Sequence, residues 1–200
     1  TDRLKDFGYK SSKTGFSIGS NFEFYDDLFW STGVSSYVEK LETESKASKS
    51  MKKQEGSYFD SFYNQTFNYD KRNQRHKPTD GYISRFTQNI PLVSDTYTLT
   101  NSYDYKMYNQ WLDENIISIG FYLKSTNSLN EKNVKLSDRL YLPSSKLRGF
   151  EAGKIGPKDG AGFIGGNYAS SINIATTLPQ VLPNLQNTNF SIFFDAANIW

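Results

Sequence analysis

The chain is 200 residues long and carries 23 Lys and Arg against 21 Asp and Glu, a formal net charge of +2 that gives no broad electrostatic pull toward nucleic acid. It has no Cys and one His, His76, which excludes disulfide frameworks and thiolate metal centres. Aromatic residues reach 16% while mean hydropathy is -0.64, and no run approaches the ~20 apolar residues of a spanning helix, which leaves a soluble all-β domain or a transmembrane β-barrel.

In chain order, the residues alternate with period two. Phe16, Ile18, Ser20, Phe22 and Phe24 share one face of a first strand, opposite Ser17, Gly19, Asn21 and Glu23. Asp26-Asp27 turns the chain into a second, with Leu28, Trp30, Thr32, Val34 and Val38 on its apolar face. The charged stretch Lys40–Gly56 has no apolar stripe at helical spacing and reads as a loop, solvated from Lys46 to Lys53. Phe59, Tyr63, Phe67 and Tyr69 mark a third strand opposite Asp60, Asn64, Thr66 and Asn68, and Tyr82, Phe86 and Ile90 a fourth. Tyr97, Leu99, Tyr103, Tyr105, Met107 and Trp111 mark a fifth opposite Asp104 and Lys106. Ile117, Ile119, Phe121 and Leu123 mark a sixth, and Ile172, Ile174 and Leu178 a seventh. Phe190, Ile192, Phe194 and Ala196 mark an eighth opposite Ser191 and Asp195. Each is around the ~9–11 residues that cross a bilayer at a tilt. Aromatic residues at several ends suit interfacial girdles. A soluble sandwich with one wet face would alternate in the same way.

Connection lengths separate these readings. The first, third, fifth and seventh are Asp26-Asp27, Lys71–Asp80, Asp113-Glu114 and Pro179–Thr188; the second, fourth and sixth are Lys40–Gly56, Pro91–Asp95 and Asn127–Gly166. The longest loops fall in the second set, so one rim has shorter turns and the other longer loops, as outer-membrane barrels do. A start at Thr1 and a stop within a strand at Trp200 read as an internal piece of a larger barrel. A larger barrel also removes the sheet edges that lipid does not tolerate.

The sixth connection does not alternate cleanly. It holds Leu147-Arg148-Gly149-Phe150-Glu151, then Ile155-Gly156-Pro157, then Gly165-Gly166-Asn167. A loop so rich in Gly and apolar residues is suited to folding back against a polar lumen. With Phe193-Phe194-Asp195 on the eighth strand and Pro78-Thr79-Asp80-Gly81 before the fourth, this ordered set resembles the barrel domain of the BamA family of outer-membrane assembly factors (the bacterial surface antigen superfamily), from about residue 16 to residue 200.

The resemblance implies an all-β, antiparallel transmembrane barrel of sixteen strands, of which this chain holds eight, roughly the sixth to the thirteenth. It implies a bacterial outer membrane, and non-enzymatic insertion of β-barrel proteins at a seam between the first and last strands. Its partners would be membrane lipid, unfolded β-barrel clients and accessory lipoproteins, with no cofactor, metal or nucleic acid. The seam and the periplasmic repeat domains are missing, so the fragment alone is expected to be inactive. The resemblance also makes residues 127–166 a lumen-plugging extracellular loop. Arg148, Gly149 and Phe150 lie at its tip, Gly156 and Pro157 follow, and Arg148 meets Asp195. Alternation independently turns Asp195 inward with Ser191. A shielded carboxylate needs a cation, and guanidinium offers two parallel hydrogen bonds. Gly149 permits a sharp turn there, and Phe150 is expected to pack on the inner wall. Three residues depart from the family pattern: Leu147 stands for its Val, Ala197 for a glycine, and Asn73 for a frequent Asp. The Ala197 methyl is expected to crowd the loop tip slightly.

His76 sits among Lys71, Arg72, Arg75 and Lys77 with no second metal ligand in view, and the turn reads as a basic surface for anionic lipid headgroups. Glu23, Asp60, Asp104 and Lys106 read as lumen lining. No Ser-His-Asp order, carboxylate pair or phosphate loop stands out. Two other functions fit part of the pattern. One is a two-partner-type secretion pore or translocation factor of the same superfamily. The other is a soluble β-sandwich binding module or glycosidase, whose Ile117/Ile119/Phe121/Leu123 face would pack on a second sheet.

Overall fold

The computed structural model describes residues 8–45, 47–112, 115–130, 132–160, 162–178 and 190–200. The strands are β1 (Tyr9–Tyr25), β2 (Leu28–Thr43), β3 (Gly56–Asp70), β4 (Gly81–Ser94), β5 (Thr98–Leu112), β6 (Asn115–Ser128), β7 (Lys158–Asp159), β8 (Gly162–Phe163), β9 (Tyr168–Thr177) and β10 (Ser191–Ile199). Eight of them form one antiparallel sheet in the order β1-β2-β3-β4-β5-β6-β9-β10; β7 and β8 form a small separate hairpin. All eight alternating segments are therefore strands, and β1 and β10 are the open edges of this half-wall. β1 to β6 are 14 to 17 residues long, more than a bilayer crossing requires, and they extend beyond the apolar band toward the long-loop rim.

The faces divide as alternation requires. Phe16 is 70% exposed, and Ile119, Phe121, Leu123, Ile172, Ile174 and Ile192 on the same side are exposed too. Among the described residues no second layer covers the Ile119/Phe121/Leu123 face, which runs against the sandwich reading. Phe22, Trp30, Phe67, Phe86, Tyr103 and Leu123 stand in register across six strands. The rings of Trp30 and Phe67 stack 5.8 Å apart. Nearer the short-turn rim, Tyr82 lies 5.8 Å from Tyr69 and 5.9 Å from Tyr105. One row breaks the apolar surface: Thr32, Gln65, Gln88, Asn101 and Ser125 are also in register. Its amides satisfy one another, Gln65 Nε2 donating to Gln88 Oε1 at 2.9 Å and Gln88 Nε2 to Asn101 Oδ1 at 2.7 Å. That pairing lowers the cost of holding them within an otherwise apolar surface.

At the short-turn rim, Asp27 takes the left-handed conformation at φ 62°, which Asp tolerates. Asn73 Oδ1 accepts from the Thr79 and Asp80 amides at 3.2 and 3.3 Å, so the departure from Asp still organises the turn. Lys71 pairs with Asp27 at 2.6 Å and Arg72 with Asp70 at 2.7 Å, which engages two of the cations read as lipid-facing. The turn at Asp113-Glu114 and the Pro179–Thr188 connection lie outside the described residues.

The long-loop rim differs from the sequence reading. β4 continues through Pro91, which faces Phe62 beside a bulge, a place where a strand accommodates Pro. The fourth connection shortens to residues 95–97. The stretch read as a solvated loop continues β2 to Thr43 and then forms a short helix, α1 (Lys49–Lys52), whose Ser48 cap accepts from the Met51 amide at 3.2 Å. Met51 is buried with Tyr9, Leu41 and Leu136. A single apolar residue among charges leaves no periodic trace, so the sequence pattern missed it. β6 runs to Ser128, and the sixth connection spans residues 129–167.

Candidate functional site

The described residues of 129–167 lie against the polar face of the sheet and supply Val134, Leu136, Leu140, Leu142 and Leu147 to the buried apolar side chains. Leu136 joins Tyr9, Leu41 and Met51, and Leu140 and Leu142 pack on Ala169 and Ile199. A backbone bridge between Leu140 and Gly166 closes the loop on itself. The end of β10 receives it: the Asn167 and Tyr168 amides donate to Trp200 O at 2.8 and 2.9 Å. The loop is a packed, hydrogen-bonded body.

Its tip is fixed by charge. Asp195 and Asn173 are register partners on β10 and β9, and both point into the polar face. Arg148 Nε donates to Asp195 Oδ2 at 2.8 Å and Arg148 Nη2 to Asp195 Oδ1 at 2.6 Å. The Arg148 backbone N–H also donates to Oδ2, at 2.9 Å. Asn173 Nδ2 holds Lys146 O at 2.9 Å, and Lys146 Nζ meets Asp104 Oδ2 on β5 at 2.6 Å. Bidentate charge-assisted bonding of this kind fixes orientation as well as distance. The hydrogen bonds to Asp195 raise the Arg148 guanidinium above its ordinary value, against an opposing burial effect, so it is permanently charged.

The other expected residues divide. Gly149 has φ +82°, and the chain turns there immediately after Arg148. Phe150 does not pack on the inner wall: it is 60% exposed, left on the open side by that turn. The ring beneath the guanidinium is Phe193, with Arg148 Cζ 3.9 Å from its centroid. Phe193 was legible as an inward residue, two positions before Asp195. Gly156 backs onto Ile199, and Pro157 O accepts from the Ile164 amide at 3.0 Å. The Ala197 methyl packs beside the Leu140, Leu142, Ala169 and Ile199 cluster rather than crowding the tip.

Residues 2–200 match the model of the Omp85 superfamily domain. The chain belongs to the Omp85 superfamily. A solved BamA from Haemophilus ducreyi, lacking POTRA domains 1–3, superposes with a TM-score of 0.80 at 23% identity, over 96% of this chain and 42% of that one. A SAM50-like protein of Schizosaccharomyces pombe is 41% identical over 68 residues, 32% of this chain and 14% of the relative. This Omp85 chain thus spans less than half of either relative. Its sheet is part of an antiparallel β-barrel wall in an outer membrane, with the exposed Phe/Tyr/Ile side on one face and the loop on the other.

Gly166 sets how closely that loop approaches the Omp85 wall. A Cβ there would lie 2.5 Å from Trp200 O and 2.6 Å from Ile199 Cγ2. Gly166→Ala is expected to push the loop off β10 and cost about 1–3 kcal/mol. Chemical unfolding of the full-length protein in vesicles measures it; an unchanged midpoint would show that the wall yields freely.

Proposed function

We propose that this chain forms part of the barrel of an Omp85 factor that inserts and folds β-barrel proteins in the outer membrane, without covalent chemistry. Unfolded barrel chains would be its clients, membrane lipid its solvent, and accessory subunits its partners. The observation that carries this reading is the loop seated on the lumen side and tied to Asp195 through Arg148. A polypeptide crossing through this half of the lumen would have to displace that packed body, whereas assembly along the wall leaves it in place. This favours insertion over a secretion pore. Within it, Arg148 and Asp195 hold the plug, Gly149 turns it, and Gly156 and Pro157 shape its return.

The test uses the full-length protein in phosphatidylcholine and phosphatidylethanolamine vesicles. A urea-unfolded eight-stranded outer-membrane barrel is added, and its folding is followed by heat-modifiable gel mobility. Folding faster than in empty vesicles is the expected result. No acceleration, with passage of an unfolded polypeptide across the same vesicles, would replace this reading with the translocation pore.

A further inference from the structure

Far from Arg148, the base of the loop inserts a charge into the wall. Lys135 is 2% exposed, while Glu39 on β2 and Asp60 on β3 are fully buried. Lys135 Nζ lies 2.7 Å from Glu39 Oε2, 2.8 Å from Asp60 Oδ2 and 3.6 Å from Asp138 Oδ2. It also sits 4.9 Å from the Tyr58 ring centroid. The carboxylates are otherwise well served. Glu39 accepts from Ser11 Oγ and from Ser137 Oγ, and Asp60 from Ser94 Oγ and from Thr96 Oγ1. Lys13 Nζ stands 3.7 Å from Glu39, with its side chain 38% exposed. Burial pushes the Asp138 carboxyl up, against the opposing pull of Lys135 and Lys13. Burial alone would lower Lys135, but Asp138 and Glu39 raise it, so it stays an ammonium ion. The neighbouring backbone is pinned as well: Leu136 N donates to Gln54 Oε1 at 2.9 Å, and Leu136 O accepts from Tyr9 Oη at 3.2 Å.

We propose that Lys135 is a second anchor of the Omp85 loop, holding its base to β2 and β3 by charge, independently of the Arg148 contact at its tip. Two buried carboxylates on neighbouring strands are compensated mainly by one cation from a loop that lies 75 residues from Asp60 in sequence and farther still from Glu39. Glu39 and Asp60 cannot both stay ionised and dry without that cation, so the wall and the loop base hold one arrangement. The loop is a strap fixed at both ends: Lys135 ties it to β2 and β3, and Arg148 ties it to β10. Lys135 acts as a positioning residue. The proposal rests on the loop being a resident plug, not on insertion activity.

The test compares Lys135→Met, Lys135→Arg, and the triple variant Lys135→Met/Glu39→Gln/Asp60→Asn in the full-length protein in vesicles. The readout is thermolysin cleavage mapped by mass, scored separately at 129–147 and 149–160. Lys135→Met is expected to raise cleavage at 129–147 about tenfold or more, because proteolysis follows the open population and two buried charges lose their main partner. Lys135→Arg should keep much of the protection. The triple variant should restore much of it, since the two fully buried carboxylates are then neutral and the remaining Asp138 still has Lys13 as a nearby cation; a role limited to packing would not be rescued by removing carboxylates. Unchanged cleavage in Lys135→Met, a triple variant as loose as the single one, or equal loosening at 149–160 would overturn the proposal. If Lys135→Met does not fold, the triple variant decides: folding with a protected loop supports the anchor, and failure to fold overturns it. Loss of client folding with the loop still protected would count against the proposed function and leave the anchor intact.

Discussion

Arg148→Ala is expected to destabilise the plugged state more than Asp195→Ala, although the two residues form one pair. The asymmetry lies in what each change leaves behind. The Asp195 side chain is 2% exposed, and the Arg148 side chain 33%. Removing the guanidinium strands a carboxylate in the wall with only the residue-148 backbone N–H and its neighbours for company. Removing the carboxylate strands a guanidinium that water already reaches and that still rests on Phe193. Breaking a buried pair costs about 3–5 kcal/mol, and partial hydration places Arg148→Ala near the lower end. Asp195→Ala should cost roughly half as much on the same argument. Arg148→Lys should fall between, because an ammonium ion keeps the charge but loses the fork and the stacking. Exchanging the two, Arg148→Asp with Asp195→Arg, restores a pair but not the Phe193 contact, and should recover only part of the loss. Denaturant unfolding of the full-length protein, with loop proteolysis alongside, measures all four. Equal costs for the two Ala variants would show that the carboxylate is hydrated once the arginine is gone.

The sequence and the structure agree where a local rule decides. Period-two alternation placed Phe16, Ile119 and Phe194 outward and Asp60, Asp104 and Asp195 inward, because a strand has only two faces and one of them meets lipid. At Asp195 alternation supplied only an inward carboxylate in need of a cation; that the cation is Arg148 was legible through the family resemblance of the Leu147–Phe150 motif. The Lys135 anchor was not legible. Lys135 lies in a loop with no periodicity, and Glu39 sits beside a charged stretch that reads as solvent. Extending the alternation from Val34 and Val38 by one residue would have turned Glu39 inward with Ser35. Even so, nothing local says which of many lysines crosses the lumen to meet it. Met51 escaped notice because one apolar residue defines no face. The polar row across Gln65, Gln88 and Asn101 escaped because its members are explained only by strand register, which single-strand patterns do not contain.

Phe86→Lys and Thr87→Lys, adjacent residues with opposite outcomes, test the claim that lipid covers the aromatic side. Phe86 stands in the ring row between Phe67 and Tyr103, on the exposed apolar surface. Thr87 points the other way, its hydroxyl 3.0 Å from that of Thr66 on the polar face. A lysine replacing Phe86 would carry its charge into hydrocarbon, at an expected cost of about 2–4 kcal/mol near the bilayer midplane. A lysine replacing Thr87 gives up one hydroxyl contact and reaches lumen water beside Arg85 and Asn68, at an expected cost of about 1 kcal/mol or less. Helix propensity, side-chain size and net charge are the same for both incoming residues, so the difference isolates which face meets lipid. Reversible unfolding of each full-length variant in vesicles supplies the numbers. The gap should widen in thicker bilayers, where the lysine side chain reaches the interface less easily, and only the Phe86 variant should respond to thickness. If the two variants are equally stable at every thickness, water or protein covers the aromatic face.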